Sequence, residues 1–362
     1  DDLLEAVELE LRRRRFGDVV RLEVSSSVSR SLLGRLQRGL GIGDDQVYAI
    51  QGPLDLADLD QVVDLDRPEL KHEPAPPTSP PRLARVRGHG DLFDEIRRGD
   101  LMVHQPYESF AASFEAFVRA AARDPDVIAI KTAVYRTSGD SPLVPALIEA
   151  AEDGKQSVCL VELKARFDEH RNIEWSRKLE QSGVHVVYGF PDLKVHAKMT
   201  LVVRREPDGL RRYVHVGTGN YHAVTARSYE DVGVFTADEA VAADVAALFN
   251  YLTGFGRPQR FGKILVAPFD LRSKLIARIH EVADAAAAGK RGRIRLKLNA
   301  LTDPLLIEEL YGASQKGATV EIVARSICML RPGVKGMSEN VRVRSIAGRY
   351  LEHSRLFSFE AD

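Results

Sequence analysis

Val127 to Val134, V-I-A-I-K-T-A-V, is apolar at nearly every position. A strand with one wet face would alternate, so this run reads as a strand covered on both faces, the kind found inside parallel sheets. A helical stretch over Phe110 to Ala122, closed by Asp124-Pro125, precedes it. A helix over Pro145 to Asp153, stopped by Gly154, follows. Ser157 to Leu163 and Val184 to Tyr188 read as further strands around a helix, Ile173 to Ser182, that ends at Gly183. Val195 to Val203 and Arg212 to Val216 continue as strands, and G-T-G-N at Gly217 to Asn220 is the turn after them. Parallel strands need crossover helices, so the class is α/β.

The same order then returns. Arg293 to Leu301 matches the first strand, Pro304 to Gln315 is the helix with Gly317 as its cap, and Thr319 to Ala324 and Val341 to Ser345 are the following strands. On this alignment Lys297 takes the place of Lys131, and Arg325 that of Arg166. Each copy closes on a histidine two residues before a cation: L-K-V-H-A-K, with His196 and Lys198, and L-E-H-S-R, with His353 and Arg355. In a strand such residues share a face, so each copy presents an imidazole beside a fixed positive charge, which suits a nucleophile working on phosphate. Near-equal steps run from Arg166 to His196 and from Arg325 to His353, as an internal duplication predicts. Chance similarity between common strand-helix-strand units is the competing explanation.

Residues 1 to about 73 read as a small α/β unit with helical spacing over Leu3 to Leu11, a strand over Val19 to Val24 and an amphipathic helix over Ser31 to Leu40. E-P-A-P-P-T-S-P-P, Glu73 to Pro81, is a linker or extended crossing segment. The expected domains are therefore 1–81, a partial head; 82–258, the first half; and 259–362, the second. The chain opens inside a helix at D-D-L-L-E-A-V and stops at Phe359 to Asp362 as a strand ends, and is read as a fragment. No apolar run approaches the roughly 20 residues of a membrane span. A net charge of −1 argues against generic nucleic-acid binding, so a polyanion site must come from local clustering of the 51 Lys and Arg. Arg12 to Arg15 read as a solvated helix end. Two cysteines, Cys159 and Cys328, make no disulfide framework and fit a reduced, cytoplasmic setting. His215 and His222 lack zinc-ligand spacing, and Trp175 and Met199 read as core.

Two H-x-[KR] motifs with a downstream G-[ST]-x-N resemble the phospholipase D superfamily, which implies two phospholipase D-like α/β domains in tandem facing one site. That superfamily's hydrolases carry an aspartate seven positions after the histidine; here those positions are Val203 and Glu360, which argues against phosphodiester hydrolysis. A longer series resembles the polyphosphate kinases of the first type: H-Q-P-Y-E-S-F (His104 to Phe110), I-K-T-A-V-Y-R-T (Ile130 to Thr137), V-E-L-K-A-R-F-D-E (Val161 to Glu169), V-H-A-K, G-T-G-N-Y, T-A-R-S-Y (Thr225 to Tyr229), R-S-I-C-M-L-R-P-G (Arg325 to Gly333) and R-Y-L-E-H-S-R (Arg349 to Arg355).

This resemblance implies reversible transfer of the ATP γ-phosphoryl group to polyphosphate through a phosphohistidine, with Mg²⁺ and with ATP or ADP as substrate. It assigns the phosphoryl group to His196, beside Lys198. His353, beside Arg355, becomes a phosphate contact and proton donor. Arg325 meets the nucleotide's phosphates and Tyr229 its base. Arg136 and Arg166 lie beside Mg²⁺; an arginine has no lone pair for a metal, so they would act through shared phosphates. Lys131, Lys164, Lys194, Arg227 and Lys297 would line a polyanion channel, and the G-T-G-N backbone could cradle a phosphate. The resemblance also implies a homodimer or homotetramer, no nucleic-acid partner, and further domains at both ends; peripheral membrane association stays open. A phosphodiesterase or phosphatidyltransferase, and a non-catalytic polyphosphate-binding fragment, are the alternatives.

Overall fold

In the computed structural model, residues 3–13, 17–86, 88–135, 141–163, 169–190, 193–254, 256 and 260–362 are described, and they form two compact units that part after Pro74. The smaller unit holds helix α1 (Leu3–Arg13) and strand β1 (Leu22–Ser25), parallel to β2 (Val47–Ile50). Helix α2 (Arg30–Leu40) connects the two strands, and α3 (Asp60–Val63) follows. Ser29 starts α2 by accepting the Leu32 N–H at 3.2 Å, and Gly41 ends it at φ 68°, a left-handed conformation that glycine adopts without strain. Of Arg12 to Arg15, the side chains lie outside the described residues.

The proline-rich segment Glu73 to Pro81 is not all linker. Thr78 bridges to Glu108, its N–H donates to the Tyr107 carbonyl at 2.9 Å and its own carbonyl accepts from Ser109, so residues from Ala75 belong to the larger unit.

That unit carries α4 (His89–Arg97), β3 (Leu101–Gln105), α5 (Ala116–Arg123), β4 (Val127–Val134), α6 (Leu143–Glu152), β5 (Gln156–Val161), α7 (Glu169–Gln181) and β6 (His185–Tyr188). Then come β7 (Met199–Glu206), β8 (Gly209–Gly217), β9 (Tyr229–Thr236) and α8 (Glu239–Leu252). The second half holds α9 (Leu271–Ala287), β10 (Gly292–Leu298), α10 (Pro304–Gln315), β11 (Thr319–Ala324), β12 (Val341–Arg344), β13 (Leu351–Glu352) and β14 (Leu356–Ala361). The helix expected over Phe110 to Ala122 opens with a wider π turn, Ala111–Glu115, before α5.

Strands β4, β5 and β6 are parallel, and β7 lies antiparallel against β4. Strands β10, β11 and β12 are parallel, and β14 lies antiparallel against β10. The strand order of the first half thus recurs in the second. The first sheet grows to eight strands through β8, β9, β3 and the two-residue β13, which comes from the second half. Residues 75–362 form one compact unit that runs across the boundary expected near 258. Helix α8 seals one face of the first sheet through Val245, Leu248 and Phe249 against Leu160, Met199 and Leu201. In the second half α9 and α10 pack Ile279, Val282 and Leu310 on Ile294, Val320 and Ile322. Burial of each such side chain stabilises the fold by roughly 1.5–3 kcal/mol before entropy is counted. No helix among the described residues is long and apolar enough to cross a membrane.

Strand register corrects two equivalences. The N–H groups of Glu162 and Arg325 donate to the carbonyls of Val134 and Leu298, the last residues of β4 and β10. Met199 faces Ala133, and Leu356, the same distance past its histidine, faces Lys297. Lys297 therefore occupies the place of Ala133 and not that of Lys131, and Arg325 the place of Glu162 and not that of Arg166.

Candidate active site

His196 and His353 stand just ahead of the antiparallel strands β7 and β14, not within them. Both histidines lie beyond the last paired residue of β4 and β10, and the second motif's Leu351 and Glu352 pair with β9 instead. Histidine and cation differ in burial: His196 is exposed and Lys198 is buried. The cations instead turn back on their own motif. Lys198 Nζ donates to the His196 carbonyl and Arg355 Nη1 to the His353 carbonyl, each at 2.6 Å. The duplication thus extends to atomic detail.

The two imidazoles share one electrostatic environment. Crowding by protein atoms lowers the His196 pKa to about 3, and the charges of Lys198, Arg355, His353 and Lys194 push in the same direction. Two of these groups come from the second half, so the fold brings both copies of the motif to one place. His196 is neutral at physiological pH while still open to solvent. Tyr135, the first residue after β4, meets the His196 ring edge-on at 4.9 Å.

His353 is held differently. It is buried, and its Nδ1 lies 2.7 Å from Oδ1 of Asp231, itself only 4% exposed. A carboxylate accepts, so Nδ1 carries the proton and Nε2 is left for a ligand. The same Asp231 oxygen accepts from Thr218 Oγ1 at 2.6 Å. A Cβ on Gly219 would come within 2.9 Å of three Asp231 atoms, so the G-T-G-N turn is glycine-rich in order to lie flat on this carboxylate. In the described contacts that turn braces Asp231; the Asn220 Oδ1 atom is buried without a hydrogen-bond partner.

Glu230, next to Asp231 on β9, ties the second motif down. Its backbone carbonyl accepts from the N–H groups of His353 and Ser354 at 3.1 and 2.9 Å. Its carboxylate accepts from Ser354 Oγ and His104 Nε2, each at 2.6 Å, and from Lys297 Nζ. Lys297 also reaches Glu352 at 2.6 Å. Lys297 is therefore engaged inside the protein and does not line a channel. Lys131 likewise points to Asn250 of α8 at 3.3 Å.

Arg325 is half-buried, donates to Asn299 Oδ1 at 2.7 Å, and lies near enough to Arg355 to lower its pKa, after the larger effect of burial. Tyr229 packs its ring 5.2 Å from His353. Arg227 is exposed. Arg136, Arg166 and Lys164 lie outside the described residues. Glu360 forms ion pairs with Arg291 and with Arg295 of β10, and Val203 sits mid-strand in β7, so neither replaces a motif aspartate. The carboxylate partner of His353 comes from β9. Sequence reasoning missed Asp231, Glu230 and Tyr135; the one signal for the first two was an acidic pair inside the apolar run Y-E-D-V-G-V-F. Among the described residues no group of three or more His, Cys, Asp or Glu side chains could hold a metal ion.

Three sequence models match in order: the polyphosphate kinase middle domain over residues 1–62, C-terminal domain 1 over 91–258 and C-terminal domain 2 over 264–362. A polyphosphate kinase of Streptomyces coelicolor is 53% identical over 361 residues, which is 99% of this chain and 48% of that protein. One from Mycobacterium avium is 53% identical over 359 residues, 99% of this chain and 49% of the relative. The chain thus spans about half the length of the curated relatives it matches. A crystal structure of polyphosphate kinase from Porphyromonas gingivalis superposes with a TM-score of 0.78 at 32% identity, covering 94% of this chain and 54% of that one. With its ordered domain matches, its identity to these relatives and its shared fold, the chain belongs to the polyphosphate kinase family.

Proposed function

We propose that this chain forms the catalytic centre of an ATP:polyphosphate phosphotransferase in which His196 carries the phosphoryl group. The observation that supports this most is the state of His196: a solvent-facing imidazole kept neutral among cations contributed by both halves. A neutral ring nitrogen has the lone pair that attack requires, and the cations offset charge on the incoming phosphates. In the first step the nitrogen forms a bond to the γ-phosphorus, the bond to the bridging oxygen breaks, and ADP leaves with that electron pair. In the second step a terminal oxygen of polyphosphate attacks the same phosphorus, and the P–N electron pair returns to His196. Each step is a balanced displacement and runs in reverse by the same path.

His353 supplies the nucleotide side. Asp231 accepts from its Nδ1–H, and Nε2, when protonated, donates to a phosphate oxygen or to the leaving oxygen as general acid. Arg325 and Arg355 hold phosphate charge, guanidinium being suited to paired phosphate oxygens. Tyr229, beside His353, is the group for stacking on adenine. Mg²⁺ would accompany the nucleotide and neutralise its phosphates. The described residues give it no carboxylate cage; Arg136 and Arg166 would meet it through phosphate. A cytoplasmic homodimer or homotetramer is part of the same reading.

The test is to incubate the full-length protein with γ-labelled ATP and recover an acid-labile, base-stable label. His196→Ala should abolish both label and turnover. A variant that keeps the label would remove His196 from the role of carrier.

A further inference from the structure

The register relating the two halves singles out one position, the residue just past the first strand of each repeat. It is Tyr135 after β4 and Asn299 after β10. The two do different work. Asn299 accepts from both Nε and Nη2 of Arg325, at 3.1 and 2.7 Å, and so aims a phosphate-binding guanidinium. Tyr135 instead sits against the carrier imidazole, with ring centroids 4.9 Å apart and planes at 74°. Two ammonium groups lie over its face as well, Lys198 Nζ at 4.9 Å and Lys194 Nζ at 5.3 Å from the ring centre.

We infer that Tyr135 is the positioning residue of the phosphoryl-accepting half: its ring sets the plane of His196 and gathers Lys194 and Lys198 beside it. An edge-on ring contact removes rotational freedom from an imidazole that is otherwise exposed, so the attacking nitrogen is presented in one orientation. The negative face of the ring draws both ammonium groups inward against their mutual repulsion. It also keeps water from part of the imidazole. The charged or titratable groups around His196 are Lys194, Lys198, Arg355 and His353, and Tyr135 is the surface against which the two lysines rest. Both contacts use the ring's π system, so Tyr135→Phe keeps them and Tyr135→Leu does not.

This inference rests on His196 being the phosphoryl carrier, and the experiment separates the two. Phosphoenzyme formation from γ-labelled ATP is followed by rapid quench across pH in the full chain, for the parent protein, Tyr135→Phe and Tyr135→Leu. No labelled histidine in the parent sinks the carrier reading itself. With label present, Tyr135→Leu should slow formation about tenfold to a hundredfold, with nucleotide affinity within about threefold, and should move the acid limb of the profile toward neutral pH. Tyr135→Phe should restore the parent profile. If Leu fails to fold, Lys194→Gln in the parent and Phe proteins decides. It should move the acid limb the same way and to the same extent in both. A parent-like Leu variant, a Phe variant as slow as Leu, or an acid limb indifferent to Lys194 would each overturn the role given to the ring.

Discussion

His196 and His215 are both kept neutral, for different reasons. Crowding and cations do it at His196, which faces water; burial alone does it at His215, which is packed among Phe114, Tyr221 and Phe235 with Nδ1 3.0 Å from the Tyr221 hydroxyl. Both fall from an ordinary 6.5 to about 3 in the folded chain. Below pH 6.5 the unfolded chain therefore binds more protons than the folded one, so stability falls as pH drops from there toward 3 and is flat above. His215 dominates, since solvent screens His196. Denaturant midpoints should fall from pH 7.5 to 6 and fall further from 6 to 5; equal midpoints at pH 7.5 and 5 would contradict the burial of a neutral His215. At this scale the two histidines and their cations were legible, because H-x-[KR] is a local signal. Asp231 was not, because it meets His353 across 122 residues of chain. Tyr135 stood inside a quoted motif, yet nothing in the spacing said which ring it would touch.

Among the elements, β9 joins the halves. Its Glu230–Asp231 pair belongs to the first half and grips the second half's motif through two backbone and several side-chain bonds. Lys297 closes the arrangement from β10, at a position where the first half has Ala133. Removing Lys297 leaves the buried Glu230 carboxylate with only Ser354 and His104 as partners, and losing one partner of a buried ion pair costs about 3–5 kcal/mol. Lys297→Met should lower unfolding free energy by about that much in urea titrations, with Lys297→Met and Glu230→Gln together costing less than their sum. A loss below about 1 kcal/mol would show the pair to be marginal. The strands and helices that were read from apolar runs and glycine stops lie within a few residues of those observed, Pro304 to Gln315 and Thr319 to Ala324 without any shift, while β3, β9, α8 and α9 were not read. The alignment between repeats was not. Near-equal spacing between arginines and histidines matched Arg325 to Arg166, whereas backbone pairing matches it to Glu162. Loop lengths differ between the halves, and only hydrogen-bond register is immune to that.

At the scale of the whole molecule, duplication followed by divergence gives two similar frames with unlike chemistry. One half offers a neutral imidazole against an aromatic ring; the other offers an imidazole held by a carboxylate beside an amide-aimed arginine. Under the proposed mechanism, a single site fed by both would accept the phosphoryl group on one side and hold the nucleotide on the other. The α/β class and the doubling were evident in the sequence, because a strand buried on both faces and its repetition leave few alternatives. The union of both halves into one compact unit was not, since it depends on two residues of β13 joining a sheet from the other repeat. The central claim is that phosphorus passes through His196 on its way to the chain end. A pulse of γ-labelled ATP followed within the turnover time by excess unlabelled ATP and polyphosphate tests it most directly. The label should appear first on the peptide bearing V-H-A-K and then leave it for polyphosphate at no less than the turnover rate. Label that settles on His353, or that stays on His196 while polyphosphate grows, would contradict it.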